Sequence, residues 1–213
     1  EMGTVYSRLG SEVEIVEMKE AVLPGVGLER RFSSFMKRGL KKAGITVHTE
    51  TKAAEIQENS DGKVVIAEKD GERQKFPADK VLSAVGRSPN LDFSTEGIDI
   101  PTDDSGYVKT DERCMTDLEG VYAIGDVAGL PLLAHKASRE GLMAAALIAG
   151  KEVSNFSTIP AVVFTDPEYA EVGLSTEEAK KRDFEPAVGR FPFRASGKAL
   201  AMDETEGMVQ LVA

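Results

Sequence analysis

Apolar positions near the start of the chain switch between helical and strand spacing. They predict a helix over residues 2–9, which Gly10 ends, and a strand over Val13–Val16. A second helix with one apolar stripe and a basic opposite face is predicted over residues 28–43, followed by a strand over Ile45–His48. This order indicates a βαβ unit that opens in its first helix and continues into a third strand.

The pattern changes to alternating apolar and polar positions after residue 52. Asp-Gly pairs at 61–62 and 70–71 are typical of hairpin turns. They separate three predicted strands at 55–59, 63–68 and 73–77. We interpret them as a β-meander inserted as the crossover of a nucleotide-binding domain.

Two further apolar runs end in glycine and predict strands that lead into a ligand crevice. The first, over 81–85, runs into Gly86 and Arg87, and the second, over 121–124, stops at Gly125 before Asp126. The carboxyl ends of parallel strands share one edge, where ligands collect. We therefore expect the tips at 86 and 126 to border neighbouring coenzyme pockets, with a buried Asp126 carboxylate and a helix beginning near residue 132.

The last quarter of the chain predicts a small α+β segment. A linker over 157–160 leads to a strand over 161–165. Ser175 and Glu178 form a capping-box pattern that opens a short helix. Two more strands are predicted over 186–193 and 208–212.

Composition limits the kinds of partner that the protein can bind and the cellular compartment in which it is expected. A net charge of −10 argues against nucleic acid and anionic membrane surfaces. The sequence shows neither a long apolar span nor a secretory signal, so we expect a cytoplasmic protein. The single cysteine, Cys114, excludes an internal disulfide and an all-cysteine metal site, and we interpret it as a structural thiol rather than a nucleophile. His48 is interpreted as an ordinary strand residue.

Four residues are candidates for contact with a dinucleotide. Glu17 ends a strand where dinucleotide-binding units place a ribose ligand, and its carboxylate would favour NAD over NADP; the alternative is a solvated glutamate. Gly86 would offer its main chain to the nicotinamide half, while Arg87 is either a structural ion-pairing residue or a cofactor ligand. Asp126 would accept hydrogen bonds from sugar hydroxyls, or simply cap a helix.

Taken in order, these motifs resemble those of the flavoprotein disulfide reductases. The similarity spans essentially the whole chain and is greatest to the branch that oxidises dihydrolipoamide. The motifs are Glu-x-Gly (1–3), Val-x-Ile-Val-Glu (13–17), Val-Gly-Arg-x-Pro-Asn (85–90), Gly-Val-Tyr-Ala-Ile-Gly-Asp (120–126), Leu-Leu-Ala-His-Lys (132–136) and Phe-Thr-Asp-Pro-Glu (164–168).

The resemblance implies an α/β fold in three parts. Residues 1–86 would be a Rossmann-like NAD-binding domain with an inserted β-meander, 87–156 part of an FAD-binding domain, and 157–213 the start of an α+β dimerisation domain. The residues it assigns to NAD are Glu1, Glu17, Ala53 and Gly86. Those it assigns to FAD are Asp126, Leu132, Leu133, Ala134 and His135, the last through its backbone rather than as a catalytic imidazole.

The same resemblance implies a homodimeric enzyme. It would oxidise dihydrolipoamide carried by the lipoyl domain of a 2-oxo acid dehydrogenase or glycine cleavage complex, and pass electrons through a cysteine pair and FAD to NAD. Neither that pair nor the proton-relaying histidine occurs in these 213 residues, so this chain by itself is expected to be inactive. The alternatives are an NADH oxidase or peroxidase-like flavoenzyme and a non-catalytic nucleotide-binding module.

Overall fold

The computed structural model describes residues 1–23, 30–60, 62–92, 97–153 and 158–213. The chain is a mixed α/β protein that divides into two compact units. The first unit comprises Glu1–Leu82 and Pro160–Ala213, and the second unit comprises Ser83–Ile159. Within the described ranges, no helix is long and apolar enough to cross a bilayer.

The first unit begins with two helices that alternate with two strands. They are α1 (Met2–Arg8), β1 (Val13–Val16), α2 (Arg30–Lys42) and β2 (Ile45–His48). Strands β1 and β2 pair in parallel, with Val13 opposite Ile45, as a βαβ arrangement requires. The predicted bounds of both strands are confirmed, while the predicted start of α2 at residue 28 lies outside the described residues.

Apolar side chains from both layers build the core of this region. Val22, Leu40 and Ile45 are buried together, and Ile15 and Val47 pack against them. Since these strand residues alternate with polar ones, the sheet turns its apolar face to α2 and its polar positions outward. His48 is one of the outward residues, and its Nε2 lies 2.8 Å from Glu14 Oε2 on the adjacent strand.

The predicted β-meander is confirmed. Its strands are β3 (Lys52–Asn59), β4 (Gly62–Lys69) and β5 (Glu72–Ala78), paired antiparallel in that order. Asp70 and Gly71 both have positive φ angles, 53° and 81°, as a two-residue hairpin turn requires. Asp61 of the other predicted turn lies outside the described residues.

The carboxyl-terminal part of the first unit contains two antiparallel strand pairs, β6 with β7 and β8 with β9. Its elements are β6 (Ala161–Val163), β7 (Tyr169–Glu171), α4 (Thr176–Lys181), β8 (Val188–Pro192), α5 (Gly197–Ala201) and β9 (Met208–Val212). The capping box at Ser175 and Glu178 is confirmed in both directions. Strand β7 and helix α5 were not predicted, because elements of three and five residues show too little periodicity to be recognised.

This part packs closely against α2. A Cβ atom at Gly39 would lie 2.1 Å from Pro167 Cδ, so only glycine leaves room for the proline ring. Two exposed ion pairs also join the parts: Arg8 Nη2 lies 2.6 Å from Asp166 Oδ2, and Lys42 Nζ lies 3.1 Å from Glu206 Oε1.

The second unit contains one long helix, α3 (Ala134–Ile148), and mostly irregular chain around it. The predicted strands at 81–85 and 121–124 are wrong: the first has no strand partner among the described residues, and the second makes a single bridge, Met115 with Tyr122. A strand exists only through hydrogen bonds to a neighbour, which an apolar run cannot supply by itself. Val85 is accordingly 91% exposed.

Candidate functional site

The first unit has a cleft at the carboxyl end of β1. Glu17 follows this strand directly, and its backbone N–H donates to His48 O at 2.9 Å, which continues the pairing of the sheet by one residue. Its carboxylate Oε1 accepts from Lys19 N at 2.7 Å. Glu1 and Glu17 line the same cavity of about 160 Å³, so the structure brings together two of the residues predicted to contact NAD.

The cavity combines an apolar wall with a few polar groups. Ile15, Val22 and Leu40 supply the apolar side, while the hydroxyl of Thr4 is buried with no hydrogen-bond partner in the described residues. Glu1 is held in place because its Oε1 accepts from Phe164 N at 2.8 Å. An apolar wall with a few polar groups is suited to part of a ligand, since about 160 Å³ is less than the roughly 300–1,000 Å³ of sites that enclose a whole drug-sized molecule. Carboxylates accept hydrogen bonds from sugar hydroxyls.

The other two residues predicted to contact NAD are not among those that line this cavity. Ala53 is an exposed residue of β3, paired with Ala67 of β4, and does not line the cavity. Gly86 belongs to the second unit, where it is exposed and has a φ of 108°, a conformation that favours glycine.

Asp126 lies in a single 3-10 turn over Gly125–Ala128, which we call the glycine turn. The predicted burial of its carboxylate is wrong, because 47% of the side chain is exposed. The reason is that residues 121–124 do not form the strand whose sheet would enclose it. Arg87 Nε lies 3.1 Å from Asp126 Oδ2, so the tips at 86 and 126 are adjacent and the ion-pairing interpretation of Arg87 is confirmed.

The start of α3 follows this turn. Arg87 Nη2 donates to Leu132 O at 3.3 Å, which places the same guanidinium beside the residues that lead into α3. Leu133 is the N-cap, and leucine has no side-chain oxygen to accept from the first helical N–H groups. Ala134 and His135 are exposed in the first turn, where the aligned peptide dipoles amount to roughly half a positive charge. This end of the helix is suited to an electron-rich group.

Two residues that were not predicted from the sequence hold the glycine turn. Lys136 and Glu140 are buried on α3, with their charged atoms 2.9 Å apart. Lys136 Nζ donates to Gly125 O at 3.2 Å and to Gly129 O at 3.0 Å, and Gly125 N donates to Glu140 Oε2 at 2.7 Å. The available signal was the lysine–glutamate spacing of four, which places both side chains on one helical face.

Cys114 lies near this pair and is buried. Burial penalises the thiolate, and the negative charge of Glu140 adds to the effect, so the pKa of Cys114 is raised to about 11. The residue is therefore a protonated thiol at neutral pH, which agrees with its interpretation as a structural residue.

Known proteins are similar to this chain in sequence and in fold. Residues 1–141 match the family described as pyridine nucleotide-disulphide oxidoreductase, and residues 159–213 match the dimerisation domain of the same family. The chain is 43% identical to the dihydrolipoyl dehydrogenase of Bacillus subtilis and 42% identical to that of Thermus scotoductus. All of this chain is covered in both comparisons, but only 45% and 46% of the relatives, so it spans about half their length.

A solved structure supports the same relationship. The crystal structure of LpdA from Mycobacterium tuberculosis superposes with a TM-score of 0.88 at 25% identity, over 100% of this chain and 46% of that protein. The match over residues 1–141 includes Glu1 and Glu17 in the first unit, and the glycine turn with the start of α3 in the second. The chain belongs to the pyridine nucleotide-disulphide oxidoreductase family.

Proposed function

We propose that the protein containing this chain is a dihydrolipoyl dehydrogenase, which oxidises dihydrolipoamide and reduces NAD through FAD and a redox-active cysteine pair. The observation that carries the proposal is the 43% identity, over the whole chain, to a relative with that name. The chain has one cysteine, buried and protonated at neutral pH, so the proposed pair lies outside these residues.

The cavity of the first unit supports the assignment of NAD. Glu17 would accept hydrogen bonds from the adenosine ribose, and its negative charge would oppose the additional phosphate of NADP. Glu1 would lie near the nicotinamide. Ala53 and Gly86 remain proposed main-chain contacts, at the adenine and the nicotinamide respectively.

The glycine turn and the start of α3 fit a flavin dinucleotide. The Arg87 ion pair uses Oδ2 of Asp126, and the half-exposed carboxylate can accept hydrogen bonds from the ribityl hydroxyls. The start of α3 would face the isoalloxazine, with Leu132 and the N-cap Leu133 leading into it and Ala134 and His135 in its first turn, and would stabilise negative charge on the ring. When bound, FAD supplies a two-electron relay between a dithiol and NAD.

The wider organisation is part of the same proposal. Residues 1–86 would serve NAD, 87–156 FAD, and 157–213 dimerisation, the last supported by the dimerisation-domain match. The active form would be a homodimer, served by the lipoyl domain of a 2-oxo acid dehydrogenase or glycine cleavage complex. A cytoplasmic location agrees with a chain whose single cysteine is a free thiol.

The test is an assay of the full-length protein, reconstituted with FAD and supplied with dihydrolipoamide and NAD. We expect NADH to accumulate in proportion to enzyme, and no turnover from the 213-residue chain used as the matched control. NADH consumption with oxygen or peroxide, without turnover of dihydrolipoamide, would instead identify an oxidase or peroxidase-like flavoenzyme. Binding of both dinucleotides with neither reaction would identify a non-catalytic module.

A further inference from the structure

We propose that Lys136 and Glu140 are positioning residues, which fix the glycine turn from inside the second unit and thereby direct the Asp126 carboxylate toward FAD. The inference rests on the proposed function, since it assigns these residues to the flavin site. Both side chains are buried, and both form hydrogen bonds with the backbone of the turn.

Hydrogen bonds with side chains of α3 hold the glycine turn at both of its ends. The ammonium of Lys136 binds the carbonyl of Gly125, where the turn begins, and that of Gly129, which directly follows it. Glu140 accepts the N–H of Gly125, so both peptide groups that flank the Cα atom of Gly125 are held by side chains of α3. Asp126 is the next residue, and its side-chain direction follows from that of the held peptide.

Packing reinforces this arrangement. Gly125 has a φ of 74°, and a Cβ atom there would lie 3.2 Å from Ala137 Cβ, so the turn sits directly on the helix. Asp126 itself projects outward and is about half exposed, with Arg87 as its ion-pair partner. The exposed carboxylate therefore depends on the backbone beneath it for its orientation.

The attraction between the two buried charges is by itself a weak source of stability. Exchanging a buried ion pair for uncharged side chains of similar volume is often neutral or stabilising, because desolvation costs as much as the attraction returns. An ammonium group does something here that an apolar side chain cannot: it donates simultaneously to two carbonyls separated by the length of the turn. That specific geometry favours a role in placing Asp126.

The test exchanges both charges together, so that neither is left buried and unpaired. Lys136→Met with Glu140→Gln preserves side-chain size and an oxygen acceptor for Gly125 N–H, but removes the donor to the two carbonyls. The matched control makes the same two exchanges in the exposed pair of the first unit, Lys42→Met with Glu206→Gln, whose charged atoms lie 3.1 Å apart. All variants are made in the full-length protein, and FAD is titrated into each apoprotein.

We expect the buried exchange to raise the Kd for FAD at least about tenfold, the effect of one lost charge-assisted hydrogen bond. The control exchange should leave Kd within about twofold. In an Asp126→Ala background the buried exchange should add less than about twofold, since residues that act through one another are not additive. A merely structural role would weaken binding equally in both backgrounds.

Three results overturn the inference. One is an unchanged Kd in the buried exchange while the wild-type protein binds FAD tightly, which leaves the proposed function intact. The second is a full, additive loss in the Asp126→Ala background. The third is a wild-type protein that binds no FAD, which overturns the proposed function as well. If the buried exchange does not fold, Lys136→Gln with Glu140→Gln again leaves no charge unpaired and replaces the ammonium with a shorter, uncharged amide donor; its folded form must also bind FAD more weakly.

Discussion

Exchange of Glu17 for arginine tests the proposed NAD site most directly. Glu17 stands at the carboxyl end of β1, half-buried, on the wall of a cavity of about 160 Å³. If the Glu17 carboxylate accepts hydrogen bonds from the ribose hydroxyls, an arginine removes those acceptors and replaces a negative charge with a positive one. NAD should then bind more weakly, and NADP, with its additional phosphate, should lose less or gain.

The structure limits the size of this effect. A hydrogen bond to a charged group contributes about 1.5–3 kcal/mol. Oε1 of Glu17 already accepts from Lys19 N at 2.7 Å, and the side chain is only half-buried, so the lower end of that range applies. A loss of about 1.5 kcal/mol corresponds to a Kd for NAD raised a little more than about tenfold.

The assay is a titration of NAD and NADP into the full-length protein and its variants. Glu20→Arg is the matched control, since it makes the same change of charge at an exposed position three residues along the chain. It should leave the Kd for NAD within about twofold, because exposed charges are screened by solvent and salt. An unchanged Kd in Glu17→Arg, or an equal loss in both variants, would refute the contact between Glu17 and the ribose.

Further predictions concern the first unit and the buried thiol. Gly39→Ala should lower Tm despite the better helix propensity of alanine, since overpacking against the proline ring costs about 1–3 kcal/mol. Gly141→Ala, whose Cβ would meet its nearest neighbour at 3.4 Å, should not lower Tm, and an equal change in both variants would contradict the clash. Cys114, with its pKa of about 11, should resist alkylation at neutral pH and react only as the pH approaches that value. Mass spectrometry measures the alkylation of the folded protein, and rapid labelling of Cys114 at neutral pH would contradict this prediction. Ser175→Ala should cost about 1 kcal/mol at neutral pH. Hydrogen bonds from the backbone and hydroxyl of Ser175 lower the pKa of Glu178, so the carboxylate's contribution is present above its unfolded pKa and is lost as the pH falls through the lowered value. The Tm difference between wild type and Ser175→Ala should therefore shrink in acid, and a constant difference would contradict the capping box.

The local elements were the most predictable part of the fold. The bounds of β1 and β2 follow from their apolar alternation, and the capping box at Ser175 follows from two residues three positions apart. The runs at 81–85 and 121–124 have an equally good strand composition, yet neither forms a strand ladder in the described residues. A strand depends on the chain beside it, and composition carries no information about that neighbour.

The sequence by itself predicted the features that depend on neighbouring residues, namely helix ends and hairpin turns. It also showed the order of the family motifs and the single thiol. Folding settled which distant groups meet. It placed Glu1 and Glu17 around one cavity, joined Arg87 to Asp126, and set the ammonium of Lys136 between two glycine carbonyls. The physical reason is one of range. Helix caps and turns depend on groups within a few residues. The contacts that shape the site join residues far apart in the chain, such as Arg87 with Asp126 and Glu1 with Phe164, and these residues meet only once the whole path of the chain is set.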